Sequence, residues 1–242
     1  MKTAQARDRV VINNVARQTI SFWLPQLPMQ EFRIAIPELV SDAHAAILPW
    51  GFSSPQFEIS DHVAGLSIKV PGAIQMQAEV SFRMEQIEAK IRATNLSSRK
   101  WEVANIFTCF NCGHSSLFRD PEAVRTYVAT ENGWKSVADV TTGLECSTPY
   151  TLVPITGGPE LNDLWACREL KACRAPGACS GEMRIASVDG QWIARISTLH
   201  SAYLFNNRDL SCLHAAPCIE QLDPGASSEL MNEIVIVRNT TD

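Results

Sequence analysis

The stretch QMQAEVSFRMEQIEAKIRAT, Gln75 to Thr94, decides the fold class. Met76, Ala78, Val80, Phe82 and Met84 occupy every second position, with Gln75, Gln77, Glu79, Ser81 and Arg83 between them. The alternation resumes with Ile87, Ala89, Ile91 and Ala93 against Glu88, Lys90, Arg92 and Thr94. Successive side chains of an extended chain point to opposite faces, so a period of two marks a strand with one dry and one wet face. Two such runs meeting at Glu85-Gln86 predict an antiparallel hairpin with Val80, Phe82, Ile87 and Ile91 in the core.

The pattern spreads in both directions. Asp189-Gly190 is a type I′ turn dipeptide. A two-residue loop there pairs Val188 with Gln191, Ile185 with Ala194 and Met183 with Ile196, and sets Trp192 across from Ser187. The polar turn NLSSRK (Asn95 to Lys100) leads into WEVANIFTCFNC (Trp101 to Cys112), which is apolar on both faces as a central strand should be. Shorter strands are expected at Val10–Trp23, Phe32–Ile36, Gln56–Ile59, Leu66–Val70, Arg125–Ala129, Thr151–Ile155, Ala202–Phe205 and Asn232–Val237. Strands at this spacing, separated by Gly/Pro/Asn turns and with no βαβ alternation, predict an all-β chain. The expected fold is one antiparallel β-sandwich domain over residues 1–242, on the scale of a supersandwich, with more than ~40% strand against a usual 20–25%. Residues 156–182 break the pattern. They are strand-poor, and Asn162 is placed to cap a short helix through Asp163–Cys173. Long insertions of this kind in β domains serve as lids or binding loops.

Composition narrows the function. The 242 residues include 45% apolar and 19% charged side chains, which is ordinary for a globular protein. A net charge of −5 argues against broad charge-driven contact with nucleic acid or membranes. The N-terminus shows no signal-peptide h-region, and no run approaches a spanning helix. The expectation is a cytoplasmic protein with mostly reduced thiols, although a secreted mature chain given a new Met would read the same way. There are eight cysteines, and Cys167, Cys173 and Cys179 recur every six residues. Phosphate-binding glycine loops, GxSxG and HExxH are absent.

Three groups of residues are candidates for chemistry. His200 and His214 flank Tyr203, Asn206, Asn207 and Arg208, a mixture of imidazole, amide, guanidinium and aromatic groups that suits a polyhydroxylated ligand. A histidine there can act as general acid or base near neutral pH. On a strand, His214 and Cys212 share one face and Leu213 takes the other, leaving Leu213 for the core and His214 for the open side. Arg125, beside Asp120 and Glu122, and Arg168, on the lid with Lys171 and Arg174, are expected to anchor substrate, with Trp192 as a stacking platform. Each of these has an ordinary alternative in a salt bridge, a solvated helix face or a packed edge. Finally, Cys112-Gly-His114 and Cys212-Leu-His214 are two Cys-x-His pairs, which would make a four-ligand zinc or copper site if they met across a sheet.

AKIRATNLSSRKW (Ala89 to Trp101), DPEAVRTYVATENGW (Asp120 to Trp134) and CLHAAPCIEQLDPG (Cys212 to Gly225) resemble parts of bacterial β-sandwich proteins associated with carbohydrate processing. The broad class they resemble is the galactose-mutarotase-like supersandwich, which hosts sugar epimerases and accessory domains of polysaccharide enzymes. The resemblance implies a fold and a saccharide or sugar-acid partner. It implies no catalytic residue, because the family's histidine and acidic signature has no recognisable counterpart here, and fold does not fix function. The leading expectation is an epimerase or lyase that uses His214 and His200 and needs no cofactor. Its rivals are a non-catalytic glycan- or protein-binding module and the Cys/His metalloenzyme.

Overall fold

The computed structural model describes residues 9–177 and 179–240. It is 57% strand and 5% helix, in two large, mostly antiparallel sheets. The front sheet contains β1 (Val11–Ala16), β2 (Thr19–Leu24), β3 (Leu27–Ser41) and β4 (Ala46–Leu48). The back sheet begins with β5 (Glu58–Ser60), β6 (Val63–Val70), β7 (Ile74–Phe82) and β8 (Gln86–Asn95). The chain returns to the front with β9 (Trp101–Asn111), then to the back with β10 (Thr126–Thr130) and β11 (Gly133–Ser136), followed by the short helix α1 (Val137–Val140). On the front again lie β12 (Tyr150–Pro154), helix α2 (Trp165–Glu169) and β13 (Cys173–Arg174). Back strands β14 (Glu182–Ala186) and β15 (Trp192–Thr198), front strands β16 (Ser201–Asn207) and β17 (Cys212–Leu222), and back strand β18 (Ser227–Arg238) complete the chain. The front order is β1-β2-β3-β9-β17-β16-β12-β13 with β4 on β3, and the back order is β11-β10-β14-β15-β18-β8-β7-β6-β5.

The alternating stretch forms β7 and β8, paired from Ile74↔Asn95 to Phe82↔Ile87. Val80, Phe82, Ile87 and Ile91 are buried between the sheets. Met84 departs from the pattern: it stands in the turn, 61% exposed, because pairing stops at Phe82. In the β14–β15 hairpin, Met183↔Ile196 and Ile185↔Ala194 pair as the alternation requires. The turn itself is not type I′. Of Asp189 and Gly190 only Gly190 has positive φ (+71°), and its N–H donates to the Ser187 carbonyl, so pairing ends at Ser187 and Trp192 with a loop of four residues, where two between Val188 and Gln191 were expected. Both loop lengths are even, which is why the pairing survives the change.

Asn95 holds the crossing from β8 to β9. Its buried amide donates to the Arg99 and Leu222 carbonyls, and its Oδ1 accepts from the Ser97 N–H, turning a polar hexapeptide into a rigid connector between sheets. β9 does run centrally, between β3 and β17. Its Ile106 and Phe110 join the core between the sheets, whereas Phe107 belongs to a second cluster on the outer face of the front sheet. That second cluster exists because residues 161–172 fold over it. Leu161, Leu164, Ala166 and Cys167 pack against Leu39, Phe107, Leu152, Tyr203, Phe205 and Ala216. The helix is shorter than the sequence suggests and is not capped by Asn162. Leu164 is its N-cap, and Asn162 lies in the preceding 3-10 turn, where its carbonyl accepts from Arg168. A Cys146–Cys173 disulfide ties β13 to the segment entering β12, while Cys109, Cys112, Cys167, Cys179, Cys212 and Cys218 are free thiols.

Candidate functional site

The outer face of the front sheet is assembled by period-two placement on four strands. On β17, Leu213 and Ala215 face the core between the sheets, so Cys212, His214 and Ala216 face outward. Cys109 on β9 is the direct partner of His214. On β16, Phe205 is the partner on the other side. β3 supplies the fourth group through an irregularity. Ala35 pairs with Cys109 and Leu39 with Phe107, so four steps on β3 oppose two on β9. The extra residues include Pro37, which has no ladder donor to lose at such a bulge, and Glu38, which the bulge turns toward His214.

His214 is 2% exposed and both ring nitrogens are engaged. Nδ1 lies 3.1 Å from the Phe205 carbonyl oxygen and Nε2 lies 3.2 Å from Glu38 Oε2. A carbonyl oxygen only accepts, so Nδ1 carries hydrogen. The Nε2···Oε2 contact then requires one further proton, held either by the imidazole or by the carboxyl. The ring sits between Phe107 and Phe205, at centroid distances of 4.7 and 4.9 Å. Glu38 is the outward member of the pair, with 32% of its side chain exposed. Phe107 in turn carries Trp50, at 6.3 Å, and Trp50 lies 6.5 Å from Trp165 of α2. Trp50 is 41% exposed and Trp165 half-buried, so indole surface reaches solvent near the acid–base pair. The Cys109 thiol beside the ring is held in the protonated form. The side-chain hydrogen bond with Cys212, then burial and the Glu38 charge, push Cys109 well above the usual thiol value, and burial does the same to Cys112.

The other residues singled out by sequence fall elsewhere. His214 does lie on the face opposite Leu213, but beneath aromatic rings and not in the open. His200 is on the opposite side of the sandwich, exposed at the turn between β15 and β16. There it lines a groove of about 770 Å³ across the outer face of the back sheet, together with Gln77, Glu79, Lys90, Arg92 and Glu229. The two histidines therefore do not share a site. Tyr203 is fully buried with its hydroxyl 3.3 Å from Asn105 Oδ1, and its ring packs beside Phe107 on the outer face, 5.9 Å between centroids, so it is not free to bind substrate. Asn206 faces the core, its amide donating to the Cys212 carbonyl. Trp192 is 7% exposed under the Arg238 guanidinium and has no face to offer a sugar, which corrects the stacking expectation. Arg125 points inward to the Ala186 and Arg119 carbonyls, with Asp120 at 4.0 Å, because the chain needs these donors to close the turn before β10. Arg168 latches the lid through the Ala43 and Asn162 carbonyls.

The four-ligand set of two Cys-x-His pairs does not converge. Cys112 joins the core between the sheets and His114 is exposed. Gly113 lies against the β16–β17 turn so closely that a Cβ there would be 2.4 Å from the Leu210 carbonyl oxygen, and the chain swings His114 outward. Cys109, on the central strand β9, is the residue that stands with Cys212 and His214. Glu38 was missed as well. The signal for it was an acid directly after a proline inside an otherwise apolar run.

No family model and no curated protein matches the chain. Solved structures similar to it include a galactose mutarotase related enzyme from Lactobacillus acidophilus, at 8% identity and TM-score 0.48 over 96% of this chain and 99% of that one. A galactose mutarotase-like protein from Lactobacillus casei matches at 11% identity and TM-score 0.46 over 94% and 100%. Another from Clostridium acetobutylicum matches at 8% and 0.44 over 96% and 100%. These are the kind of protein that the short sequence motifs resemble. Likeness at this level carries no argument about activity.

Proposed function

We propose that the protein is a carbohydrate-active β-sandwich protein that binds a saccharide or sugar acid against the outer face of the front sheet and moves a proton on it, as an epimerase does. Glu38 and His214 form the acid–base pair. One observation carries the reading: a single proton is required between His214 Nε2 and Glu38 Oε2, in a water-poor aromatic setting, with the carboxyl end reaching solvent. Such a pair can accept a proton from one substrate oxygen or carbon and return it at another. The Phe205 carbonyl fixes the imidazole's orientation and tautomer. Trp50 and Trp165 offer flat apolar surface to a sugar ring, whose hydroxyl edge then faces Glu38.

The test is anomer exchange measured by magnetisation-transfer NMR on a panel of aldoses and sugar acids. The expected result is acceleration with at least one sugar, falling by ~100-fold or more in Glu38→Gln and His214→Asn. Acceleration that persists in Glu38→Gln, or none with any sugar, removes the reading. A second reading is favoured by the back-sheet groove, whose amide, carboxylate, ammonium, guanidinium and imidazole groups also suit hydroxyl recognition. There the protein would bind a glycan without catalysis, and Lys90→Ala with Arg92→Ala would abolish glycan binding while Glu38→Gln left it intact.

A further inference from the structure

His214 also stands beside two thiols. Cys109, Cys212 and His214 each offer a ligand atom, and all three atoms lie within 4.8 Å of one another. Cys109 and His214 are directly paired across β9 and β17, and Cys212 stands one strand period from His214 on the same face. All three are at most 3% exposed. Ala35 completes the buried packing cluster of Cys109 and Cys212 with a single methyl group. Nδ1 of His214 is already committed to the Phe205 carbonyl, the partner that orients a metal-bound histidine and leaves Nε2 as the ligand atom. Glu38 Oε2 lies 3.2 Å from that nitrogen. Asn207, directly across from Cys212 on β16, has a buried Oδ1 with no hydrogen-bond partner among the described residues, a further polar atom beside the cluster.

Two thiolates, an imidazole and a carboxylate are the donor types of a four-coordinate site for zinc or a related cation, in which soft sulfur selects against calcium and magnesium. We propose that Cys109 Sγ, Cys212 Sγ and His214 Nε2 bind a thiophilic divalent cation, with Glu38 at the fourth position on the solvent side. The step balances as an exchange: the cation enters, both thiols lose their protons, and the proton held between Glu38 and His214 leaves, so three protons are released. The inference does not depend on the saccharide reading. The two share one nitrogen, however, so an ion at this site would displace the proton of the acid–base pair and silence any proton transfer there.

The experiment uses the full chain with its Cys146–Cys173 disulfide intact, stripped with a chelator, and no sugar. Zn2+ is titrated in competition with a chromophoric chelator, and Co2+ serves as a spectroscopic stand-in. One equivalent of Zn2+, a sulfur-to-cobalt charge-transfer band and a tetrahedral ligand-field spectrum are expected. Cys109→Ala and Cys212→Ala should each remove the band and weaken Zn2+ by more than the ~10–100-fold that loss of an outer-shell partner costs. Cys218→Ala, a free thiol outside the cluster, should keep both. If either cysteine variant fails to fold, Glu38→Gln decides instead: it should keep the band and weaken Zn2+ by ~10-fold or more. No stoichiometric ion, no sulfur band, loss of the band in Cys218→Ala alone, unchanged affinity in Glu38→Gln, or a Cys109–Cys212 disulfide in peptides from the native protein would each overturn the proposal. None of these readouts involves a sugar, so failure here is distinct from failure of the epimerase reading.

Discussion

Gln77, Glu79, Lys90 and Arg92 on the outer face of the back sheet meet water, whereas Phe107, Tyr203, Phe205 and His214 on the outer face of the front sheet do not. Both faces belong to twisted antiparallel sheets that share one core. The difference is the insertion after β12, which folds over the front and leaves the back bare. A covered face can hold an imidazole between two phenyl rings and let its proton chemistry be set by one carboxylate and one carbonyl. A bare face can only present charges that water screens. The proposed acid–base and metal chemistry thus belongs to the covered front, and the proposed glycan recognition to the bare back.

The core that both faces share should be the most costly place to cut. Phe82, from the alternating stretch, is 2% exposed and packs 5.2 Å from the Phe22 ring, so Phe82→Ala should cost ~3–5 kcal/mol in denaturant unfolding. A loss below ~1 kcal/mol would mean the two sheets are not joined there.

β17 gives a finer cut, because adjacent residues look in opposite directions. Leu213→Ala opens a cavity between the sheets and should cost ~2–5 kcal/mol. His214→Ala leaves the Phe205 carbonyl and Glu38 without their partner and should cost ~1–3 kcal/mol. If thermal melts rank His214→Ala as the more damaging, the histidine is chiefly a structural pin and the functional contrast between the faces weakens.

The lid can be probed by pH. Burial pushes Cys167 from 9.0 up to about 12. The unfolded chain ionises at the ordinary value while the folded chain keeps its proton. The stability due to this thiol is therefore complete below pH 9.0 and is lost as pH rises toward about 12. The loss approaches ~1.4 kcal/mol per pH unit within that window. Unfolding of wild type and Cys167→Ala across the window should converge by that slope, and parallel curves would show that the lid does not bury the thiol. The smallest effect belongs to the bare face: Gln77→Ala should change stability by no more than ~0.5 kcal/mol.

Legibility followed the same division. Wherever one face of a strand meets water, alternation is written in the sequence, which is why β7, β8 and the β14–β15 pairing could be read from residues alone. Where the lid dries the second face, the strands become apolar on both sides and the register disappears. β9 could be called central, but nothing in WEVANIFTCFNC tells that Phe107 looks one way and Phe110 the other. β3 was legible only as Phe32–Ile36, because Pro37 reads as an end. The strand continues through a bulge to Ser41, and the bulge is what delivers Glu38. His200 and His214 looked like neighbours because sequence distance cannot register that the chain changes sheet between β15 and β16. Trp192 and Arg125 were drawn to a site by their chemical type, and their burial became visible only with the partners in place.

The strands that border each sheet have a consequence for life in concentrated solution. β13 has two residues, β5 three and β11 four, and β1 carries exposed Asn13 and Asn14, residues that strands disfavour. An edge strand is a row of unpaired amides and carbonyls that recruits another chain when it is long, flat and apolar. Here three borders are too short to template more than a few hydrogen bonds, and the fourth is punctuated by amides. The long ladders, such as β7 against β8, lie in the interior of their sheets, so among the described residues no sheet border is a long, flat apolar strand that a second copy could extend.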